Sequence, residues 1–369
     1  MKLLKWLINC DIIILKNQFQ GEKTMKKSIL MIIAIILCAM CLFACNNNDT
    51  DTTNSSNNTD TSNDSNITDN VPPTTENYTN VDALLENDNI TSITKDNYAL
   101  LSSMDLSQLP ESVASIYREI LEDIITYQVL YTVDDCTVSA FISLPKDYET
   151  KDYPLVIYNR GGNGNFSALN AESVAIYTQA LNCVMIASNY REATPGTGVD
   201  EFGGKDVNDV VFWMDIIPKL EFIEKDSVYM IGESRGGMQT CLALLNDDNN
   251  VIKAAACISG IYDVADIYNS RTDMQEMLVR RIGGTPEQCP EEYQKRSAIN
   301  FVEQIKTPLI IVHSTGDEKV PYAQAQEFVE ALETNGKTVE FITREDNYHS
   351  ITSSDEIVNI FEQLKNIAK

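Results

Sequence analysis

The sequence predicts an α/β fold in which a mostly parallel central sheet is covered by helices on both faces. From residue 126 onward, short continuous apolar runs alternate with segments compatible with helices. Continuous apolar strands indicate burial on both sides, which is typical of parallel sheets flanked by helices. One such run leads into a Gly-x-Ser-x-Gly sequence, Gly232 to Gly236, and a helical segment follows it. This order predicts a sharp strand-to-helix turn that carries an exposed serine, Ser234.

Length and composition limit the kinds of protein this chain can be. Its 369 residues allow one large domain or two small ones. A net charge of −26 disfavours nucleic acid as a partner, because the phosphate backbone would be repelled. The nine cysteines show no regular metal-binding spacing and the chain has two histidines, so we predict neither a metal site nor a cofactor. Nothing in the composition indicates an oligomeric state.

Residues 1–45 have the features of a leader that ends in a lipoprotein-type signal peptide. Met25 begins a pattern of two lysines and an apolar run, and it is a candidate for the true start of translation. The run closes as Leu-Phe-Ala-Cys at Cys45, which resembles the lipobox of bacterial lipoproteins. This resemblance implies lipidation of Cys45 and a location at the extracellular face of the cell membrane. A plain signal peptide or a membrane-spanning anchor is the alternative.

Two segments separate the leader from the main domain. Residues 46–80 consist mostly of Asn, Asp, Thr and Ser, a composition that cannot bury apolar surface, so we expect a disordered tether. Residues 81–125 alternate short apolar clusters with polar stretches, and the spacing from Val113 to Ile125 is helical. We expect this part to be an N-terminal extension packed on the main domain.

Residues 126–369 carry the alternation of strands and helices and are predicted to form the main domain. Its first two strands, 126–133 and 136–144, are joined by Asp134-Asp135 and predict a hairpin. The remaining elements follow the apolar periodicity. The strands are expected at 154–158, 183–187, 228–231, 252–258, 309–313 and 338–343, and the helices at 171–181, 205–220, 237–245, 322–333 and 355–367.

Residues 263–306 interrupt this rhythm with helical segments and no clear strand. Such an interruption predicts a small helical cap inserted between two strands of the sheet. Tyr262 and Tyr268 lie where the chain enters the cap, and they are candidates for lining a substrate pocket. Ordinary packing under the cap is the alternative for both.

The candidate catalytic residues follow the order nucleophile, acid, histidine that hydrolases with a Gly-x-Ser-x-Gly turn use. Ser234 is the predicted nucleophile, and His349, after the last strand, is the predicted base. Asp317, just after the strand before it, is the predicted acid, with the adjacent Glu318 as the alternative. His313 ends its strand four residues before Asp317, so we expect it to position that loop, and it is the alternative base.

Each of these residue types meets a chemical need. A serine hydroxyl is a poor nucleophile at neutral pH unless a base such as His349 takes its proton. Asp317 would fix the imidazole tautomer and stabilise the imidazolium. The negative oxygen of the tetrahedral intermediate needs preformed donors. We predict the backbone N–H of Arg235 as one, and that of Gly161, in the glycine-rich stretch 159–164, as the other.

Taken together, these motifs resemble the catalytic domain of the prolyl oligopeptidase family of serine peptidases. The resemblance implies an α/β-hydrolase fold, a triad of Ser234, Asp317 and His349, and a covalent acyl-enzyme. Two features depart from the family pattern. Arg160 stands where the family usually has the histidine of His-Gly-Gly, and the roughly 45 residues between tether and domain leave no room for a gating β-propeller. The matching pieces are Tyr-Asn-Arg-Gly-Gly at 158–162, Asn-Tyr-Arg at 189–191, Gly-Glu-Ser-Arg-Gly-Gly at 232–237, Pro-Leu-Ile-Ile at 308–311 and His-Ser-Thr-Gly-Asp-Glu-Lys-Val-Pro at 313–321.

The expected function is therefore that of a membrane-tethered, extracellular serine hydrolase that cleaves short peptides through an acyl-enzyme on Ser234. A carboxylesterase acting on acyl esters, for example acylated carbohydrates, would use the same residues and is the first alternative. The second alternative belongs to another class, a non-catalytic solute-binding lipoprotein in which the serine turn is vestigial.

Overall fold

A nine-stranded sheet organises the computed structural model, which describes residues 77–369. Across the sheet the strands run in the order β1-β2-β3-β5-β4-β6-β7-β8-β9. The predicted leader, Cys45 and all but the last four residues of the predicted tether lie outside the described residues. The strands are β1 Ile90–Lys95, β2 Ile124–Val133, β3 Cys136–Pro145, β4 Tyr153–Asn159, β5 Val184–Ser188, β6 Ile223–Glu233, β7 Ala254–Ile258, β8 Leu309–Ser314 and β9 Val339–Arg344.

The strand directions confirm the predicted mostly parallel sheet. The first three strands pair in antiparallel fashion, and β3 also runs antiparallel to β5. All the remaining neighbours, from β5 through β4 to β9, are parallel. Because parallel strands all end at the same edge, the turns after β4, β6, β8 and β9 come together there. The predicted functional residues are on these turns.

Helices cover both faces of the sheet, as predicted. Along β4, Leu155 and Ile157 join one buried cluster while Val156 and Tyr158 join the other, as alternation along a strand requires. The first cluster contains apolar side chains of α4, α5 and α9, and the second contains those of α2, α3 and α10. The α-helices are α1 Ala99–Ser102, α2 Glu111–Asp123, α3 Ala171–Leu181, α4 Asn208–Ile216, α5 Arg235–Leu244, α6 Val264–Ser270, α7 Gln275–Ile282, α8 Pro290–Arg296, α9 Tyr322–Thr334 and α10 Ser354–Ile367.

The segment predicted as an N-terminal extension contributes a strand that the sequence pattern does not reveal. Strand β1 pairs with β2 at the sheet edge, and of its six residues only Ile90 is fully buried. The helix expected over 113–125 ends at Asp123, because Ile124 and Ile125 pair with β3 instead. The pairing of β1 with β2 and of β2 with β3 thus determines the structure of these segments, in spite of the helical spacing of apolar residues up to Ile125.

The predicted tether extends a few residues too far toward the C-terminus. Tyr78 is buried and forms an isolated bridge with Leu220. Its N–H donates to the carbonyl of Lys219 at 2.8 Å, and its carbonyl accepts from the N–H of Glu221 at 2.9 Å. A single aromatic side chain therefore joins the core from a segment whose composition is mostly polar.

The cap region between β7 and β8 contains the helices α6, α7 and α8 and no strand, as the interrupted rhythm predicts. The two strands on either side of it are direct neighbours in the parallel sheet, so the cap is an insertion at the sheet edge where the site forms. Within residues 77–369, no helix combines the length and the apolar character needed to cross a membrane.

Candidate active site

Ser234 lies at the turn between the end of β6 and the start of α5, in a conformation that few residues adopt. Its backbone angles are φ 58° and ψ −122°, and its N–H donates to the carbonyl of Ile258 at 2.8 Å. The two glycines of the motif are sterically required. A β-carbon on Gly236 would lie 1.8 Å from the carbonyl oxygen of Asn159, and one on Gly232 would lie 2.1 Å from the carbonyl oxygen of Gly236.

The structure brings Ser234, His349 and Asp317 together, although they are far apart in the sequence. His349 Nε2 is 2.9 Å from Ser234 Oγ, and His349 Nδ1 is 2.8 Å from Asp317 Oδ2. With its proton on Nδ1, the imidazole donates to the carboxylate and leaves Nε2 free to accept the serine proton. This is the geometry that general-base activation of a hydroxyl needs.

The Asp317 carboxylate is held ionised by its surroundings. It accepts hydrogen bonds from the N–H groups of Lys319 at 2.8 Å and Val320 at 3.1 Å. Burial alone would raise the pKa of Asp317, but His349 and these two donors keep that pKa below its ordinary value. The alternative acid, Glu318, is exposed and makes no hydrogen bond to His349 within the described part of the chain.

His313 lies behind this loop and does not contact Ser234. Its Nε2 donates to the carbonyl of Val320 at 3.0 Å, and the same nitrogen is 3.5 Å from Asp317 Oδ2. Burial lowers the pKa of His313, which favours the neutral ring. The structure thus places His313 where it supports the Asp317 loop.

The loop that carries His349 is anchored by two residues that sequence reasoning did not identify. Arg344, the last residue of β9, donates from Nη2 to the carbonyl of Tyr348 at 2.7 Å, and Ser314 Oγ donates to the same carbonyl at 2.5 Å. Arg344 also pairs with Glu356 of α10 at 2.7 Å. No local sequence pattern signals these contacts, because they join three separate elements.

The two predicted oxyanion donors both lie beside Ser234. Arg235 is the first residue of α5, so its N–H has no acceptor within the helix. Gly161 packs against the serine: a β-carbon there would lie 3.2 Å from Ser234 Cβ and 3.7 Å from Ser234 Oγ. The N–H of Gly161 donates to no acceptor among residues 77–369.

The Arg235 side chain points away from the site into a buried cluster of charges. Its guanidinium donates to Asp200 at 2.6 and 2.8 Å and to Asp206 at 2.6 Å, and all three side chains are almost completely buried. It also donates to the carbonyl of Gly162 at 2.9 Å. Sequence reasoning missed this cluster, because nothing in the spacing of the two aspartates connects them to residue 235.

The two tyrosines predicted to line a substrate pocket both pack against other aromatic side chains. Tyr262 is 1% exposed, and its ring stacks on Phe328 of α9 with centroids 4.3 Å apart, so that prediction is wrong. Tyr268 is partly buried and packs edge to face on Tyr293 at 6.0 Å. The turn after β7 directs the first ring into the core, and the cap helices pack around the second. Across residues 77–369 there is also no group of three side chains suited to hold a metal ion.

Comparison with known proteins finds relatives of the main domain. The sequence profile of the prolyl oligopeptidase family matches residues 187–366. The uncharacterized peptidase YtmA of Bacillus subtilis is 28% identical over 216 residues, covering 58% of this chain and 82% of YtmA. The human acylamino-acid-releasing enzyme is 26% identical over 197 residues, covering 48% of this chain.

Solved structures show the same fold. The acylaminoacyl peptidase of Pyrococcus horikoshii has a TM-score of 0.54 at 18% identity, over 66% of this chain. A puromycin-hydrolyzing peptidase of Mycobacterium tuberculosis has a TM-score of 0.52 at 22% identity, over 61% of this chain.

The lengths of these relatives differ. The match covers 26% of the human enzyme and 41% of the Pyrococcus chain, in contrast to 82% of YtmA. What is shared with the longer relatives is therefore the domain that contains the serine turn and the parallel sheet. Residues 187–366 of this domain match the prolyl oligopeptidase family, and the domain has the α/β-hydrolase fold and is a serine hydrolase.

Proposed function

We propose that this chain is a serine peptidase that cleaves short peptides through an acyl-enzyme on Ser234, with His349 as base and Asp317 as its partner. The observation that carries the proposal is the chain of two hydrogen bonds, 2.9 Å from His349 to Ser234 and 2.8 Å from His349 to Asp317. In a serine hydrolase this arrangement makes the hydroxyl nucleophilic. The family membership supports the same assignment.

In the proposed reaction, Ser234 Oγ attacks the substrate carbonyl while His349 Nε2 takes the hydroxyl proton. The carbonyl oxygen becomes negative and accepts from the N–H groups of Arg235 and Gly161. The carbon–nitrogen bond then breaks, and the imidazolium returns its proton to the leaving amine. A water molecule, deprotonated by His349, hydrolyses the resulting ester and regenerates Ser234.

The substrate class rests on the relatives. Those that match are described as a peptidase, acylamino-acid-releasing enzymes and a dipeptidyl aminopeptidase, and all of them act on peptide or aminoacyl bonds by name. The same machinery would also cleave an ester, because the acylation chemistry does not depend on a nitrogen leaving group. The non-catalytic alternative has no support from the family, which is one of hydrolases.

Peptidase and esterase activity can be distinguished with an amide substrate and an ester substrate that have the same acyl group. We expect the purified protein to hydrolyse short N-acylated peptide p-nitroanilides as well as matched p-nitrophenyl esters, and we expect Ser234→Ala to lose both. Release of p-nitroaniline and p-nitrophenol would be followed by absorbance. Turnover of the esters alone, with no amide hydrolysis by any peptide tested, would replace the peptidase by a carboxylesterase.

We also propose that the hydrolase is anchored through a lipid on Cys45 at the extracellular face of the cell membrane. The support is the Leu-Phe-Ala-Cys sequence at the end of an apolar run and the polar stretch that follows it. Cys45→Ala is expected to abolish incorporation of radioactive palmitate and to release the protein from the membrane fraction. Cys41→Ala, which removes a cysteine from the same leader, is the control and should keep both properties. Persistent labelling of Cys45→Ala would contradict the proposal.

A further inference from the structure

The peptide unit between Arg160 and Gly161 is held from its buried side by a tyrosine. The hydroxyl of Tyr190 donates to the carbonyl oxygen of Arg160 at 3.1 Å. In a trans peptide the C=O and N–H bonds point in opposite directions. The N–H of Gly161 therefore points away from Tyr190. Gly161 itself packs against Ser234, and its N–H is left without an acceptor among the described residues.

The backbone and the ring of Tyr190 are both held in place. It is completely buried, and its φ of 61° lies in the left-handed region that a bulky residue seldom adopts. Its N–H donates to Ser188 Oγ at 3.0 Å, which supports this conformation. Backbone strain of this kind persists where the surroundings over-determine the geometry, and it is concentrated at functional sites.

Two buried guanidinium groups complete the setting of the tyrosine. Arg160 lies 5.0 Å and Arg235 lies 4.8 Å from the centroid of the Tyr190 ring. Burial raises the pKa of Tyr190, although the two cations act in the opposite direction, so the hydroxyl remains protonated and able to donate. The ring is thus held by the same residue whose backbone N–H is the first predicted oxyanion donor.

Four further carbonyls of the loop after β4, at positions 161, 162, 164 and 166, are turned toward these cations. Arg235 holds the carbonyl of Gly162 and is itself held by Asp200, which also accepts from the N–H of Gly164 at 2.9 Å. The Arg160 side chain donates to the carbonyls of Gly161 at 2.9 Å, Gly164 at 2.7 Å and Phe166 at 3.0 Å. The carbonyl of Arg160 differs from these, because its donor is the uncharged hydroxyl of Tyr190.

We propose that Tyr190 is a positioning residue for the oxyanion hole: its hydroxyl turns the 160–161 peptide so that the N–H of Gly161 faces the oxygen that becomes negative on attack by Ser234. The inference rests on the proposed function, because it assigns the second donor of that reaction. Tyr190 acts through Gly161 and does not touch the substrate. Its contribution is made in the transition state, when the oxygen carries its charge, and not in substrate binding.

Tyr190→Phe removes the hydroxyl and keeps the ring beside the two guanidinium groups. We expect kcat to fall between about 10-fold and 100-fold, less than the roughly 100-fold to 1,000-fold that loss of a whole donor causes, with KM within about twofold of wild type. Affinity for a peptidyl trifluoromethyl ketone, which forms a tetrahedral oxyanion on Ser234, should fall by the same factor as kcat/KM.

The matched control is Tyr293→Phe. Tyr293 is 1% exposed, nearly as buried as Tyr190, and it also donates to a backbone carbonyl, that of Gly284, at 3.1 Å. It should lose a similar amount of stability in a thermal melt and keep its kcat and its ketone affinity. A merely structural role for Tyr190 would make the two variants behave alike, and that result would overturn the proposal.

A second variant restores the donor. Tyr190→4-aminophenylalanine places an N–H donor where the hydroxyl was, and it should keep kcat within about threefold of wild type. If this variant folds but is as slow as Tyr190→Phe is expected to be, the proposal is wrong. Failure of the underlying function is seen separately, since the wild-type protein would then hydrolyse neither amides nor esters and would not react with the ketone.

Discussion

Replacing Ser234 with alanine is expected to lower kcat by between about 10⁴-fold and 10⁶-fold while the protein stays folded. The hydroxyl is the atom that attacks, and the hydrogen bond to His349 at 2.9 Å activates it. Alanine keeps the backbone of the turn, so the glycine contacts that build it remain. The same variant should no longer react with a fluorophosphonate, which labels the nucleophile of serine hydrolases covalently. The loss would be measured by in-gel fluorescence beside the peptide and ester assays.

Ser259 provides a matched control for this substitution. It shares the positive φ of Ser234, at 49°, and it follows the end of β7, the neighbouring strand of the sheet, but it is completely buried. Its hydroxyl has no hydrogen-bond partner in the described structure. We expect Ser259→Ala to keep both activity and labelling. Fluorophosphonate labelling that survives in Ser234→Ala would show that another residue is the nucleophile.

Replacing His349 with alanine should lower kcat by a similar factor, between about 10⁴-fold and 10⁶-fold, because the serine then lacks a base. The effect on folding should be small, since the side chain is 24% exposed and lies in a loop at the sheet edge. Steady-state kinetics with the ester substrate and a thermal melt would be compared for the two proteins. Retention of more than about one hundredth of wild-type kcat would rule out His349 as the base.

A variant of His313, the only other histidine in the sequence, tests whether the two imidazole rings have different roles. His313→Asn keeps a donor near the carbonyl of Val320 but removes buried ring atoms. We expect a loss of stability of about 1–3 kcal/mol, from the cavity and the weakened loop contact, and a fall in kcat of less than about tenfold. A larger loss of kcat in His313→Asn than in His349→Ala would reverse the assignment.

Much of the candidate site could be predicted from local sequence, because its parts are set by strong short-range constraints. A strand-to-helix turn without room for side chains requires glycines on both sides of the serine. In the structure, β-carbons added to Gly236 and Gly232 would lie only 1.8 and 2.1 Å from backbone oxygens. The positions of Asp317 and His349 followed from parallel strands ending at one edge. The structure places both within hydrogen-bonding distance of their expected partners.

The errors arose where local pattern and long-range pairing disagree. Strand β1 is polar on most of its positions and is a strand only because β2 offers it an edge. Tyr78 is buried because its backbone N–H and carbonyl form hydrogen bonds with Lys219 and Glu221, on either side of Leu220. The position of Tyr262 just before the cap predicts a place in a substrate pocket. The direction in which its side chain points depends on the turn after β7, and the spacing of residues in the sequence does not specify that turn.

The sequence by itself determined the class of fold, the turn that presents Ser234 and the order of its partners, because periodicity, glycine sterics and the shared edge of parallel strands act within or between neighbouring elements. Only the tertiary structure decided how the loop after β4 is oriented. Tyr190, Arg235 and Asp200 reach that loop from three other parts of the chain, through hydrogen bonds of 3.1, 2.9 and 2.9 Å. Such contacts produce no periodic pattern in the sequence, since each depends on one side chain that meets one carbonyl or N–H group from a distant part of the chain.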